Sequence, residues 1–421
     1  NEHSAGCGLV MERFSGISFV VIAFNVRNAI LRCLESIAQQ TSNDYEVVIV
    51  DDASSDGTQD VVRSFIEGKK QFRFIEKRFN EGAHLARRTG VFETRGDYVI
   101  FVDGDDEIAP SCVEVLLPLA RRRSFDILKF GLRAVAEGEE DELASYSHEQ
   151  HFNRAPGAMC GRDILEAIFA NSQPLRVSWC LTDNLFPSAF IKNCFELMTS
   201  DSIGRVEDAY EMFVVAAEAE KFISFCELRY LIYHFGAGFS GRGMQALIHF
   251  EEGVKGAYDS LSHVWEFAKA SEDSAVIGCC RWFEGQIVAT LASEWTSRVR
   301  IEDEELAFDL IAKQFGDDFA TRVLLGPLNG RLRWLIEQDD EASFAQDEYM
   351  LRWEAILNSR NLPANPSPAF QCYMNEYRLL KEQIENRLHE MSHEQAEGAL
   401  VEASNLPSIL GVLGNKILRR K

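Results

Sequence analysis

Four short apolar runs constrain this chain more than any other feature. They are ISFVVIAF (Ile17–Phe24), YEVVIVDD (Tyr45–Asp52), FRFIEK (Phe72–Lys77) and YVIFVDGDD (Tyr98–Asp106). Between them lie VRNAILRCLESIAQQ, GTQDVVRSFIEGK and EGAHLARRTGVFETRG, each with helical spacing and a cap or stop. Near-continuous apolar strands alternating with amphipathic helices predict a mostly parallel sheet covered on both faces, an α/β doubly wound layer. In such sheets ligands sit beyond the carboxyl ends of the strands. Each strand here runs out into polar residues: Asn25, Asp51–Asp52, Asn80–Gly82 and Asp103–Asp106.

The 421 residues allow two or three domains. A formal net charge of -23 argues against nucleic acid as the main partner, because phosphate backbones are held by basic surfaces. The charge is uneven. Through Phe130 there are 16 basic and 20 acidic residues, and beyond it 27 and 46. The acidic excess reads as a solvated face of the later part of the chain. Ten cysteines without a repeated spacing read as reduced thiols of a cytosolic protein, not as a zinc site or a disulfide framework. The polar stretch NEHSAGCGLVMERFSG (residues 1–16) reads as a leader or expression remnant without a secretory signal, and no apolar run is long enough to span a membrane.

From about Ser124 to Arg242 the pattern is mixed. FDILKFGLRA reads as a strand followed by an acidic loop, EGEEDE; GRDILEAIFAN reads as a helix. VSWCLTDNLFPSAFIKNCFEL reads as a strand or turn leading into a helix, VEDAYEMFVVAAEAE as a helix with an acidic start, and FISFCELRYLIYHF as one or two strands. Beyond about residue 244 the segments are amphipathic at helical period, from ALIHFEEGVKGAYDSLSHVWEFAKA to AFQCYMNEYRLLKEQIENRLHEM. We therefore expect an α/β domain over 17–243 and an all-α domain over 244–421. The tail LPSILGVLGNKILRRK suits either an amphipathic helix on a membrane surface or a helix packed on its own or a partner subunit.

Five stretches in order carry a resemblance: SFVVIAFNVRNAILRCLESIAQQT, VVIVDDASSDGT, NEGAHLARRTGVFETRGDYVIFVDGDD, WCLTDNLFPSAFIK and VEDAYEMF. Over roughly residues 17 to 240 the chain resembles the family 2 glycosyltransferases, inverting enzymes with a GT-A type domain that use nucleotide-sugar donors. An Asp-X-Asp triplet alone is weak; five motifs in sequence are specific. The resemblance implies transfer of a hexosyl or N-acetylhexosaminyl group, from a UDP-sugar, to a hydroxyl of a glycan, lipid-linked or protein-linked acceptor. It further implies a role in bacterial surface polysaccharide or glycoconjugate assembly, and a cytoplasmic protein, peripheral at the inner face of the membrane if the tail docks there. The helical domain is left open between acceptor binding, homodimer formation and docking.

Asp103, Gly104 and Asp105 follow an apolar strand, so two carboxylates gather at the mouth of the crevice. Hard oxygen ligands suit Mg²⁺ or Mn²⁺, which bridges a diphosphate. Asp105 is expected as the direct ligand, Asp103 near the ribose or metal, Asp106 in support, and Gly104 as a close backbone approach to the ligand. By resemblance Asp51 or Asp52 accepts a hydrogen bond from the base, while Ala23, Phe24 and Asn25 wall its pocket. The family commonly has proline where Ala23 stands, which predicts a less rigid turn here. Ser54, Ser55 and Asp56 read as turn and cap residues.

Asn80 and Gly82 read as a strand-to-helix turn, with Arg87 facing the base or diphosphate. Arg88, where the family has asparagine, reads as a surface charge or a second phosphate contact, and His84 as a helix-surface residue. An inverting transfer needs a base, and the family's Glu-Asp pair carries over onto Glu207 and Asp208, with Asp208 as base and Glu207 toward acceptor hydroxyls. Trp179 is either an acceptor platform or a core residue. His234 is either a late metal or diphosphate ligand or a structural histidine, and the glycine-rich YHFGAGFSGR suggests a closing loop with Ser240 and Arg242 on the diphosphate. Two other classes fit less well. Nucleotidyl transfer lacks its glycine- and basic-rich loop after the first strand, and a non-catalytic scaffold sits poorly with intact Asp105 and Asp208.

Overall fold

The computed structural model describes residues 13–138, 141–170, 177–236, 244, 246–338, 347–360 and 362–405. The first three strand–helix pairs keep close to the sequence pattern: β1 (Phe14–Ala23), α1 (Ile30–Ala38), β2 (Tyr45–Asp51), α2 (Thr58–Ile66), β3 (Phe72–Glu76) and α3 (Ala83–Phe92). Then come β4 (Gly96–Asp103), β5 (Glu107–Ile108), α4 (Cys112–Arg121), β6 (Ile127–Ala136), α5 (Glu142–Phe152), β7 (Ala158–Cys160) and α6 (Arg162–Phe169). The α/β part ends with β8 (Asn184–Pro187), α7 (Ser188–Leu197), α8 (Glu207–Glu218) and β9 (Lys221–Phe235). Among the described residues the strands form one sheet in the order β3-β2-β1-β4-β8-β6-β9-β5, with β7 pairing β9.

The strands β1 to β4 are parallel neighbours, whereas β8 runs antiparallel to both β4 and β6. Ile17, Phe19, Val20 and Val21 of β1 and Val47 to Val50 of β2 are fully buried, as a strand covered on both faces requires. Helix α1 turns Ile30, Cys33, Leu34 and Ile37 inward, the i, i+3, i+4, i+7 stripe of a half-buried helix. Register brings the strand ends level: Ala23 lies beside Asp51, and Ile22 beside Asp103. The polar strand ends therefore share one edge.

The helical remainder comprises α9 (Leu247–Ser271), α10 (Ser274–Arg298), α11 (Glu304–Phe315), α12 (Asp317–Gln338), α13 (Glu348–Asn358) and α14 (Pro368–Asn405). The chain divides into two compact units. One reaches to Ile287 and includes Ser297–Arg300; the other holds Val288–Thr296 and the residues from Ile301 on. The boundary expected at 243/244 therefore differs from the observed division, because α9 packs on α8. Gly256 of α9 makes room for the Arg205 backbone, and Ser260 bonds it. In the second unit Glu304 accepts two bonds from Arg352, at 2.6 and 3.0 Å, and the Trp295 indole donates to the Glu304 carbonyl. Among the described residues no helix is long and apolar enough to cross a membrane. The expected tail helix, Ser240, Arg242 and most of the leader fall outside the described residues.

Helix α3 lies close against β1 and β2 because Gly90 has no side chain: a Cβ there would stand 2.3 Å from Val20 Cγ1 and 3.3 Å from Val50 Cγ2. Both neighbours are fully buried and branched, with no room to yield. Gly90→Ala should lower unfolding free energy by about 1–3 kcal/mol despite alanine's better helix propensity, measured by urea denaturation. An unchanged or higher midpoint would mean the helix shifts freely.

Candidate active site

Two turns at the sheet edge are laced to each other. The Asn25 amide donates to Ser54 Oγ at 2.9 Å, the Ser55 amide to Asn25 Oδ1 at 2.9 Å, and the Arg27 amide to Asp56 Oδ2 at 3.0 Å. Asp56 Oδ1 also accepts from the amide of Thr58, the first residue of α2. Asn25 holds φ 54, a left-handed geometry that asparagine tolerates. Ala23 is buried, and Phe24 next to it is exposed at 41 %, leaving a ring face available.

The two candidate base-binding carboxylates are not equivalent. Asp52 receives the amides of Glu81 and Gly82, the latter at 2.7 Å, and faces Lys77 Nζ at 3.0 Å. It fastens the 80–82 turn, where Asn80 Oδ1 also accepts from the Gly82 amide and Gly82 takes φ 88, which glycine adopts without cost. Asp51 uses Oδ2 for the Ser54 amide and Gln59, at 2.9 and 2.6 Å, while its buried Oδ1 has no partner among the described residues. Geometry thus leaves Asp51, not Asp52, with an oxygen to spare.

Beyond β4 the chain turns through Gly104, whose amide donates to the Ile22 carbonyl at 2.9 Å. The space a Cβ would need is taken by that carbonyl at 2.9 Å and by Ile30 and Val26 at 3.2 Å, so the glycine accommodates the neighbouring strand and its helix. Burial and neighbouring Asp103 push the Asp105 carboxyl up to about 6, although its own amide, His234 and Arg32 pull it down. Asp106, buried at 1 % exposure, accepts the His234 amide at 3.0 Å and so bolts the turn to β9; its Oδ2 has no partner among the described residues. His234 has Glu137 and Glu107 each 2.7 Å from a ring nitrogen, and Arg32 lies 3.2 Å from Glu137. With both nitrogens engaged, His234 braces two carboxylates. Among the described residues no three His, Cys, Asp or Glu side chains converge as a ready-made metal cage.

At the centre lies Arg87, 4 % exposed. Its guanidinium reaches Asp103 at 3.2 Å, Glu207 at 3.3 Å and Glu211 at 2.9 Å, joining β4 to the start of α8. Burial alone would lower this cation, but Glu211, Asp103, Glu207 and Asp208 hold its pKa well above the ordinary value. Its buried Nε has no partner among the described residues. Glu211 and His84 were not expected in this role. His84, read from sequence as a helix-surface residue, is fully buried because Nδ1 lies 2.8 Å from Glu211 and Nε2 3.0 Å from the Thr199 carbonyl. Glu211 comes four residues after Glu207 and shares its helical face, a signal visible in VEDAYEMF.

Burial and neighbouring Glu207 push Asp208 up to about 7, against Arg87 and the Ala209 amide, which donates to Asp208 Oδ1 at 2.8 Å. Burial also raises Glu207, opposed by Arg87. Trp179 stacks on Phe169 at 6.3 Å and 8°, so one ring face has a core partner. Arg88 donates to the Phe195 carbonyl and lies 5.1 Å from the Phe92 ring centroid, half-buried and away from the carboxylates just described. Asp183 of the WCLTDN stretch forms a fully buried ion pair with Lys129 of β6, and Lys129 also reaches Ser178 at 3.1 Å. A lysine inside the apolar run ILKFGL was the sequence signal for it.

Removing Glu211 would leave Arg87 and His84, both buried, without their shared carboxylate. Glu211→Ala should cost about 3–5 kcal/mol of stability by urea denaturation, and Glu207→Ala, whose carboxylate is 17 % exposed, markedly less. Equal costs would show that Glu211 is not the anchor.

The chain is 39% identical over 100 residues to glycosyltransferase GlyA of Streptococcus pneumoniae, covering 24% of this chain and 14% of that protein. It is 35% identical over 112 residues to chondroitin synthase of Escherichia coli, covering 27% and 16%. The matches thus span well under a fifth of these two relatives' own length. In fold it resembles residues 1–349 of TarS from S. aureus, with a TM-score of 0.52 at 15% identity over 84% of this chain and 95% of that one. Residues 18–173 match the family described as glycosyl transferase family 2.

Proposed function

We propose that the protein is an inverting, divalent-metal-dependent glycosyltransferase that moves a hexosyl or N-acetylhexosaminyl group from a UDP-sugar to a hydroxyl of a glycan or glycoconjugate. One observation carries the reading: the buried Arg87 ties the carboxylate that ends β4 to those that open α8, so donor-side and acceptor-side acids share one network. The match to family 2 supports the reaction class. TarS, alike in fold, has been solved with UDP and with UDP-GlcNAc, which agrees with the proposed donor. The bacterial glycosyltransferases among the relatives include a poly(ribitol-phosphate) beta-glucosyltransferase, consistent with surface polysaccharide assembly.

In this reading the donor base lies against Phe24 and Asn25, with Asp51 Oδ1 as acceptor for a base N–H. Asp208 takes the proton of the acceptor hydroxyl, whose oxygen attacks the anomeric carbon opposite the diphosphate. The bond to the diphosphate breaks with its electron pair on the phosphate oxygen, and the Arg87 cation would offset the charge that develops there. Asp103 and Asp105 fit a Mg²⁺ or Mn²⁺ ion, because such ions use one or two carboxylates plus substrate phosphates and need no complete protein cage. Bound there, the ion would stabilise the charge that develops on the leaving diphosphate.

Two measurements test this. Asp208→Asn should lower kcat by about 10²–10⁴ with donor KM nearly unchanged, the range for loss of a general base. Because Asp208 is raised to about 7 and acts deprotonated, kcat/KM should climb about tenfold per pH unit below 7 and level off above it. A flat profile between pH 5 and 9, or full activity of the variant, would remove Asp208 as the base. Separately, a thermal-shift screen should show stabilisation by a UDP-sugar in the presence of Mn²⁺, lost with EDTA or in Asp105→Ala. Stabilisation that survives both would exclude the metal assignment.

A further inference from the structure

The residue immediately before Glu207 and Asp208 is Val206, with φ 61 and ψ 19. A β-branched residue in the left-handed region is strained, and such strain persists only where the surroundings enforce it. The enforcing groups are on α9. A Cβ at Gly256 would lie 2.4 Å from the Arg205 amide nitrogen, 2.9 Å from its Cβ and 3.1 Å from its Cα, so the Arg205 backbone sits directly on the helix at that glycine. One turn on, Ser260, fully buried, donates its hydroxyl to the Arg205 carbonyl at 3.0 Å. That carbonyl belongs to the peptide leading into Val206. The Val206 carbonyl in turn accepts the Tyr210 amide at 3.3 Å, an early bond of α8. The strained peptide is therefore held from both sides, by α9 and by α8.

Val206 has no side chain with which to cap α8, and no side-chain cap bond is made there. By ordinary helix-capping preferences Ser, Thr, Asp or Asn would serve better at such a position. The sequence thus forgoes a cap and accepts strain at the one turn whose direction decides where the two carboxylates point.

We infer that α9 is a positioning element for the catalytic carboxylates. Gly256 and Ser260 form a seat that holds Arg205–Val206 in its left-handed turn and thereby aims Glu207 and Asp208. The inference rests on the reading of Asp208 as base for its effect on rate, but the seat itself is tested without it. It also gives the first helix after the α/β layer a task, which sequence period alone could not assign.

Three variants separate the seat from general packing. Gly256→Ala must displace the Arg205 backbone, so kcat should fall about tenfold or more with donor KM within about twofold, as expected when a reacting group is misaimed. Gly253→Ala lies one turn earlier, and the atoms nearest its Cβ are the guanidinium and Cδ of Arg205, at 2.8 and 3.4 Å. That flexible side chain can yield, and kcat should stay within about twofold. Val206→Gly removes the strain, so Tm should rise by about 2–6 °C. Combined with Gly256→Ala it should restore much of the lost kcat, because a glycine turn can reseat; such coupling is not expected of independent packing defects. Equal effects of the two alanine variants, a Tm unchanged or lowered by Val206→Gly, or no rescue in the double variant would each overturn the inference. Should Gly256→Ala fail to fold, the Val206→Gly shift against the Gly253→Ala control decides alone. If the wild-type protein transfers sugar from no donor tested, the proposed function fails, while the Tm ordering of the three variants still judges the seat.

Discussion

A buried arginine between carboxylates organises this protein. Arg87 contacts Asp103, Glu207 and Glu211, three residues from two elements far apart in sequence. Leaving any buried charge of this kind unpaired costs several kcal/mol, so each partner fixes the others. His84 extends the network to the Thr199 carbonyl, which pins the loop leading into α8. Electrostatics here does more than neutralise charge. It sets the distance between the edge of a parallel sheet and the first turn of a helix contributed more than a hundred residues later.

The sheet supplies the other half of the constraint. Because β1, β2 and β4 are in parallel register, Asp51 and Asp103 reach the same edge without any contact between them. The acidic turn after β4 is then secured by backbone groups: Gly104 to Ile22, and Asp106 to the His234 amide. Asp105 and Asp106 are both left poorly compensated: burial and their acidic neighbours raise Asp105 to about 6 and Asp106 well above the ordinary carboxylate range. On the proposed reading, a divalent ion arriving with a diphosphate supplies the missing charge, so ion and donor binding reinforce one another.

Much of this was legible in the sequence, for a physical reason. Strands covered on both faces must be nearly all apolar, so the four runs announced β1 to β4 within three residues of their observed starts and one to three of their ends. The hidden parts are those whose signal runs against local preference. Helix α5 begins in an acidic stretch that reads as a loop, and the middle of α12 carries Gly326, Pro327 and Gly330, residues that ordinarily break helices. His84 looked like a surface residue because its partner Glu211 is 127 positions away. Asp51 and Asp52 could not be told apart until Lys77 and the 80–82 turn were seen to occupy one of them.

The line between α/β layer and helical remainder shows the same limit from another side. Period changes at about residue 244, yet compactness places α9 with the sheet. The reason lies in small residues that hydrophobic period does not register: Gly256 leaves the room and Ser260 the hydroxyl that the Arg205 backbone uses. A glycine within a 25-residue helix weakens that helix. It is retained in a place where the loss lets a loop backbone come within contact of the helix axis, and that loop carries the carboxylates on which the proposed chemistry turns. Helix stability is given up here for the direction of two side chains.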